Sequence, residues 1–291
     1  CSWPLGTIFR TVIMNVPSVS VVIPAFDEAE SVRGVIVDYN QALERLHCTF
    51  EIILVDDGST DGTRGIAQEA GALVIGPPSN MGYGHSLRRG IKAARYEWIL
   101  ITDADNTYPS EAAVEILKLA EHYDMVIAAR TGPYFHGGPL RRLARWMLIL
   151  LASFVTGRHI PDVNSGLRIF RRELVLRYFD ILSTGFSFST GLTLAMISDG
   201  LGVHFVRTDY RARSGESKIR PFRDTLRMMQ VIVQAAVRHN PIKIFSLLAG
   251  TSWILAILLI VGGLLTDVGG LLVSGLFGVF CSILIFGQGL I

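Results

Sequence analysis

The sequence predicts an α/β fold, a mainly parallel sheet with helices on both faces, followed by a C-terminal hairpin of two apolar helices. Three observations carry this reading. Short β-branched runs alternate with helix-like segments from residue 19 to residue 129. Polar clusters follow the apolar runs instead of interrupting them. Two uncharged stretches, 244–265 and 268–291, close the chain.

Each element follows from its residues. Residues 19–23 are β-branched and apolar and run into Pro24, which marks a buried strand. Residues 28–46 read as a helix. A second buried strand, 51–55, precedes the turn Asp56-Asp57-Gly58-Ser59. A helix over 63–70, a short strand over 73–75 and a turn followed by helix over 82–94 come next. Residues 98–102 form a strand that ends at Asp103. A helix over 111–122 leads to a strand over 125–129, which ends at Arg130. In a sheet built from βα repeats, ligands bind beyond the carboxyl ends of the strands. The clusters at Pro24, Asp56, Asp103 and Arg130 should therefore converge on one edge.

Beyond Arg130 the alternation stops. Residues 133–139 read as a loop. Arg141, Arg142 and Arg145 lead into 146–155, an uncharged run too short to cross a bilayer. A basic start with an apolar body suits a helix lying at a membrane interface, and a core helix fits equally. Residues 221–240 form a second amphipathic segment. The two uncharged stretches each exceed the roughly 20 apolar residues a span needs, with Thr266 and Asp267 between them. Buried core helices are the alternative. Arg238, His239 and Lys243 precede the first stretch, and the link carries Asp267, so the positive-inside rule makes a multi-pass membrane protein whose main domain faces the cytoplasm. This divides the chain into a domain over 18–220, a juxtamembrane segment over 221–243 and two transmembrane helices over 244–291.

The N-terminus lacks the basic start and apolar run of a signal peptide. A chain that opens on Cys1 and closes inside an apolar run is expected to be clipped at both ends. The three cysteines, Cys1, Cys48 and Cys281, have no metal-ligand spacing and read as free thiols. A net charge of +2 argues against nucleic acid as a partner. The glycine-rich spans permit close helix contact, and with it a homo-oligomer.

Three motifs carry chemistry. Asp103-Ala104-Asp105 places two carboxylates just after a buried strand. Mg2+ or Mn2+ takes one or two carboxylates with phosphates and water completing its shell; a solvated or helix-capping pair is the plain alternative. In the run from Val55 to Thr63, Gly58 and Gly62 permit tight turns and Ser59 or Asp61 can cap the next helix. Capping does not explain two adjacent acids ending a strand, where a carboxylate can accept hydrogen bonds from a nucleobase. Pro24-Ala25-Phe26-Asp27-Glu28 again follows a strand directly. His85, His136, His159 and His204 are scattered and read as structural or solvated.

Together with Asp162-Val163-Asn164-Ser165-Gly166-Leu167-Arg168 and Gly215-Glu216-Ser217-Lys218, these motifs resemble the inverting GT-A glycosyltransferases of family 2. The last two resemble the branch of dolichol-phosphate mannosyltransferases and polyprenol-phosphate glucosyltransferases. The resemblance covers about residues 19–218, and the two-helix tail also occurs in that branch. It implies that Pro24, Phe26 and Glu28 contact the nucleoside, where the family more often has tyrosine at Phe26, and that Val55 and Asp57 flank the base. It implies that Asp103, Ala104 and Asp105 hold metal and diphosphate. Thr107, preceded by Asn106, stands where many relatives place a glutamine as a further metal ligand, and its hydroxyl ligates more weakly than an amide carbonyl. Arg130 and Arg142 match acceptor-phosphate positions and, with Asp105, are the implied catalytic residues. Arg213 and Lys218 match a loop that closes on the donor phosphates, with Arg211 able to exchange with Arg213.

The implied reaction moves a hexose, mannose by family frequency, from a nucleotide-diphosphate sugar to a polyprenyl or dolichyl phosphate at the lipid bilayer, with inversion. An acceptor phosphate is already an anion and needs positioning, not a general base. UDP-glucose or UDP-GlcNAc as donor remains open. A processive polysaccharide synthase is a further alternative, but its Gln-x-x-Arg-Trp signature is not met: Arg142 stands three residues before Arg145-Trp146. A non-catalytic membrane adaptor is the alternative from another class.

Overall fold

The computed structural model describes residues 16–136, 138–213 and 221–290. The chain runs β1 (Val19–Ala25), α1 (Val32–Glu44), β2 (Phe50–Asp56), α2 (Thr63–Glu69), β3 (Leu73–Ile75), α3 (Tyr83–Ala93), β4 (Trp98–Ile101), α4 (Ser110–Lys118) and β5 (Met125–Thr131). It continues with α5 (Pro133–His136), α6 (Pro139–Thr156), β6 (Arg168–Arg171), α7 (Arg172–Leu176), α8 (Phe188–Ser198), β7 (Val203–Asp209), α9 (Pro221–His239), α10 (Pro241–Thr266) and α11 (Gly269–Gln288).

One sheet has the strand order β3-β2-β1-β4-β6-β5-β7. β1 is parallel to β2 and β4, β2 to β3, and β5 to β7. β6 runs antiparallel to both of its neighbours. The sequence reading had no strand there, because β6 is four residues long with an arginine at each end. Its reversal matters for the site. Arg168, the first residue of β6, pairs with Ile101 near the end of β4 and with Ile127 of β5. The loop that precedes β6 is thereby delivered to the carboxyl edge, where the forward strands end.

Side chains alternate between the two faces of the sheet. Val21, Ile23, Leu54, Leu100, Val126 and Ile169 meet α1 and α4 on one face. Val22, Ile53, Val55, Ile99, Ile127 and Phe170 meet α3 and α8 on the other. Each fully buried side chain of this size contributes about 1.5–3 kcal/mol. α1 starts at Val32, not at residue 28 as the sequence suggests, because the amides of Glu28 and Ala29 are taken by Thr63 Oγ1 at 2.8 Å and Asp61 Oδ2 at 3.0 Å. Likewise the helix expected over 111–122 ends at Lys118 and finishes in a 3₁₀ turn, Ala120–His122.

A third cluster joins α6, α8 and α9, with Leu148, Ala152 and Val155 against Leu194, Met228 and Ile232. The opposite side of α6 leaves Leu143, Trp146, Met147, Leu150 and Phe154 exposed. α6 thus has a core face and an uncovered apolar face. Its last turn is tied to the start of α10: Lys243 Nζ donates to the carbonyls of Phe154 at 3.4 Å and Val155 at 3.5 Å.

α10 and α11 are long and apolar enough to cross a membrane. They lie against each other as a hairpin through small residues, with Gly275 facing Ala256 and Ile260 and Gly278 facing Ala256. Their other sides carry Leu265, Val273 and Phe277 outward. Asp267 turns the link in a left-handed conformation, φ 55°.

Candidate active site

Four strand ends and the reversed strand assemble one cleft. After β1, the loop Phe26–Glu28 is fastened to the turn after β2. Asp27 N donates to Ser59 Oγ at 2.9 Å, and Asp27 Oδ1 accepts from Thr60 N at 2.8 Å. Asp61, one residue before Gly62 at the N-cap of α2, accepts from Thr63 N at 3.1 Å while also holding the Ala29 amide.

The two acids ending β2 have separate tasks. Asp56 accepts from Ser59 N at 3.0 Å and from Arg64 Nε at 2.9 Å. Asp57 accepts from Met81 N at 3.0 Å and Gly82 N at 2.8 Å, which fixes the approach to α3. Gly58 has φ +80°, and a Cβ there would strike the Ser79 backbone. Pro24, Phe26, Glu28 and Asp57 line the cleft. Val55 is wholly buried in the core beneath them.

After β4 come Asp103, Ala104 and Asp105. Asp103 Oδ1 accepts from Tyr83 Oη at 3.2 Å. Asp105 Oδ1 accepts from Thr107 Oγ1 at 2.6 Å, and Asp105 Oδ2 lies 3.3 Å from Arg213. Arg213 also reaches Glu28 Oε1 at 3.0 Å, so it bridges the ends of β1 and β4. Burial and then the neighbouring Asp105 carboxylate push Asp103 up to about 7. Two buried carboxylates this close favour a proton or a cation between them. Thr107 is buried, and its hydroxyl is spent on orienting Asp105.

Gly166, from the loop before β6, backs this pair. A Cβ there would run into the Asp103 carboxylate. Behind it, Arg168 is wholly buried and donates to the carbonyls of Ser165 and of Ser189 (2.9 Å) and to Thr193 Oγ1 (3.0 Å). These bonds pin the loop against α8.

At the end of β5, Arg130 forms a two-pronged pair with Asp162, Nε to Oδ2 at 2.7 Å and Nη2 to Oδ1 at 2.9 Å. Burial would raise the Asp162 carboxyl, but the Arg130 charge and its hydrogen bonds hold it below the ordinary range. Burial opposes the Arg130 charge as well, and Asp162 more than offsets it. The Arg130 guanidinium lies 4.9 Å from the Phe135 ring centre and 5.5 Å from that of Tyr210. Arg145 covers Phe135 at 3.7 Å. Burial first, and then repulsion from Arg130, push the Arg145 guanidinium down from its usual value. An anion between these two arginines would relieve that repulsion.

The cleft holds about 480 Å³, within the range of small-molecule sites. Of the residues singled out from sequence, Pro24, Phe26, Glu28, Asp57, Asp103, Ala104, Asp105, Arg130 and Arg213 line it. Val55 and Thr107 sit behind the wall. Arg142 is exposed on α6 and Arg145 is half-buried there, and neither lines the cleft. Lys218 and the motif around it lie outside the described residues. Sequence reasoning missed Tyr83, Ser86, Phe186, Ser189 and Tyr210, all on the wall. For Tyr83 and Ser86 the strand-end rule applied again, since they follow β3. Ser189 lies in the first turn of α8 and Phe186 just before it, and α8 is buried on nearly all sides and shows no helical periodicity.

The family model for glycosyl transferase family 2 matches residues 20–179. Glycosyltransferase AglJ of Haloferax volcanii is 30% identical over 234 residues, 78% of this chain and 75% of that protein. Dolichyl-phosphate hexose transferase of the same organism is 30% identical over 223 residues, 76% of this chain and 95% of that protein. Glucosyl-3-phosphoglycerate synthase from Mycobacterium tuberculosis was solved with Mn2+, uridine diphosphate and glucosyl-3-phosphoglycerate. It shares the fold at TM-score 0.62 and 23% identity over 81% of this chain and 86% of that one. The mixed, mostly parallel sheet is the GT-A architecture expected above. The chain belongs to glycosyl transferase family 2 and is a glycosyltransferase.

Proposed function

We propose that the protein transfers a hexose from a nucleotide-diphosphate sugar to a polyprenyl or dolichyl phosphate, with inversion. The observation that carries this reading is the two-pole cleft, acidic at Asp103 and Asp105 and cationic at Arg130, with Arg145 close by on the Phe135 ring. Supporting it, one relative bears the name dolichyl-phosphate hexose transferase.

The acidic pole suits Mg2+ or Mn2+. Among the described residues no third His, Cys, Asp or Glu joins the two carboxylates, so a donor diphosphate and water would complete the shell. The structural neighbour's Mn2+ and uridine diphosphate agree with that chemistry. Such an ion neutralises charge on the leaving diphosphate. Thr107 aims Asp105 and Tyr83 aims Asp103, while Pro24, Phe26, Glu28 and Asp57 would receive the nucleoside. Arg213, now on Glu28 and Asp105, is placed to turn toward the diphosphate, with Lys218 of the following segment as its partner.

The cationic pole would seat the acceptor. Arginine forks match phosphate oxygens. Asp162 is held ionised against Arg130 and is not set to accept a proton, which fits a nucleophile that is already an anion. Arg145, stacked on the Phe135 ring that Arg130 also faces, would assist Arg130 from beside the cleft; Arg142, on the exposed side of α6, would meet lipid headgroups. GDP-mannose is the proposed donor, and the lipid would enter along α6 and the hairpin, with residues 18–220 on the cytoplasmic side.

The test is transfer of radiolabelled sugar from UDP- and GDP-sugars to a short polyprenyl phosphate. Lipid-linked product that forms with Mg2+ or Mn2+ and disappears with EDTA is expected. No product from any donor would overturn the reading.

A further inference from the structure

We propose that Ser86 reads a hydroxyl of the donor hexose and helps set which sugar the enzyme accepts. This rests on the glycosyl-transfer reading above and adds a residue to it.

Ser86 is wholly buried, yet its Oγ has no hydrogen-bond partner among the described residues. A buried hydroxyl without a partner is costly, and native structures keep few of them. This one lies on the cleft wall, in the first turns of the eleven-residue helix α3. Tyr83 is three residues earlier and shares its helix face. Tyr83 hydrogen-bonds Asp103, and its ring stacks on Phe186 at 5.4 Å. The helix cannot shift away. Gly84 lies so close to Ser183 and Thr184 that a Cβ would clash, and His85 N donates to Thr184 O at 3.0 Å.

Position and chemistry then select the ligand. The nucleoside end of the cleft is at β1 and β2, and the diphosphate falls at Asp103 and Asp105. The sugar comes next along the donor, beside the wall built from Tyr83, Ser86 and Ser189. That wall offers hydroxyls and an aromatic flank with no charge of its own. It suits a neutral hexose over a phosphate. A serine hydroxyl both donates and accepts, as a sugar hydroxyl does.

The experiment compares the wild type with Ser86→Ala for equilibrium binding of UDP-glucose, UDP-GlcNAc and GDP-mannose, and of UDP and GDP alone, with Mn2+ present. The variant should bind the accepted nucleotide sugar about tenfold more weakly, the scale of one lost buried hydrogen bond. Its affinity for the bare nucleoside diphosphate should not change. In a series of monodeoxy donors, one member should bind both proteins equally, and it identifies the hydroxyl that is read. Unchanged affinity for the sugar donor would overturn the proposal. So would an equal loss for the bare diphosphate, or a loss that persists with every deoxy donor. If the wild type binds a diphosphate but none of the three donors, the glycosyl-transfer reading falls, and this one with it.

Discussion

At Asp105 one carboxylate oxygen is taken by Thr107 and the other faces Arg213. Asp105→Asn keeps the shape and removes the charge. It is expected to lower transfer at least about a hundredfold, on the scale of losing one group that stabilises developing charge, with the protein still folded and membrane-bound. Near-normal product formation would remove Asp105 from the metal site. Asp162 behaves differently, because its partner is Arg130. Asp162→Asn leaves a mostly buried guanidinium uncompensated, and a loss of about 3–5 kcal/mol is expected from urea unfolding. The pH dependence follows from the depressed folded value of Asp162. The pair's stabilisation is fully present above the unfolded value of roughly 3.9 and is lost as pH falls through the lower folded value. The gap between wild type and variant should stay constant from pH 7 to 5 and close in stronger acid; a gap that already closes at pH 6 would contradict the pairing. For the acceptor, Arg145→Ala should raise the KM for polyprenyl phosphate about tenfold or more, while Arg142→Ala changes it little. The reverse order would return the phosphate to Arg142. The sequence shows three arginines in a row of five positions, but only the turn of α6 against Phe135 distinguishes them.

At the scale of elements, α6 depends on what holds its last turn. Its end is capped from outside, by Lys243 at the start of α10, and a cation near a helix C-terminus contributes about 0.3–1 kcal/mol. Lys243→Met is expected to speed amide hydrogen exchange in the last turn of α6 in detergent while leaving β1 and β4 unchanged. Unaltered exchange would show that the cap holds nothing. The helix itself was legible as a basic start and an apolar body. That body fitted an interface helix and a core helix equally, and in the fold its two faces divide: Leu148 and Ala152 are covered, while Trp146 and Leu150 are not. β6 was not legible at all. Four residues with an arginine at each end carry no strand period, and Arg168 is buried because the adjacent Ser165 carbonyl and, from α8, the Ser189 carbonyl and Thr193 hydroxyl satisfy it.

Across the whole molecule, strands β1 to β5 and the apolar hairpin could be read from sequence because each repeats a local pattern. β-branched runs end at polar clusters, and uncharged stretches of span length have few other stable homes. The same patterns implied that Pro24, Asp57, Asp103 and Arg130 would meet, since parallel strands end on one edge. The sequence alone therefore determined the forward half of the sheet, the acidic strand ends and the membrane-length tail. Tertiary structure decided the rest: the reversed β6 that brings Asp162 to Arg130, the stacking of Arg145 on Phe135 while Arg142 stays exposed, the withdrawal of Val55 and Thr107 behind the wall, and a buried Ser86 hydroxyl with no partner among the described residues. These depend on contacts between residues far apart in the chain. Local periodicity records which face of an element is apolar, and it holds no information about which distant partner that face will meet.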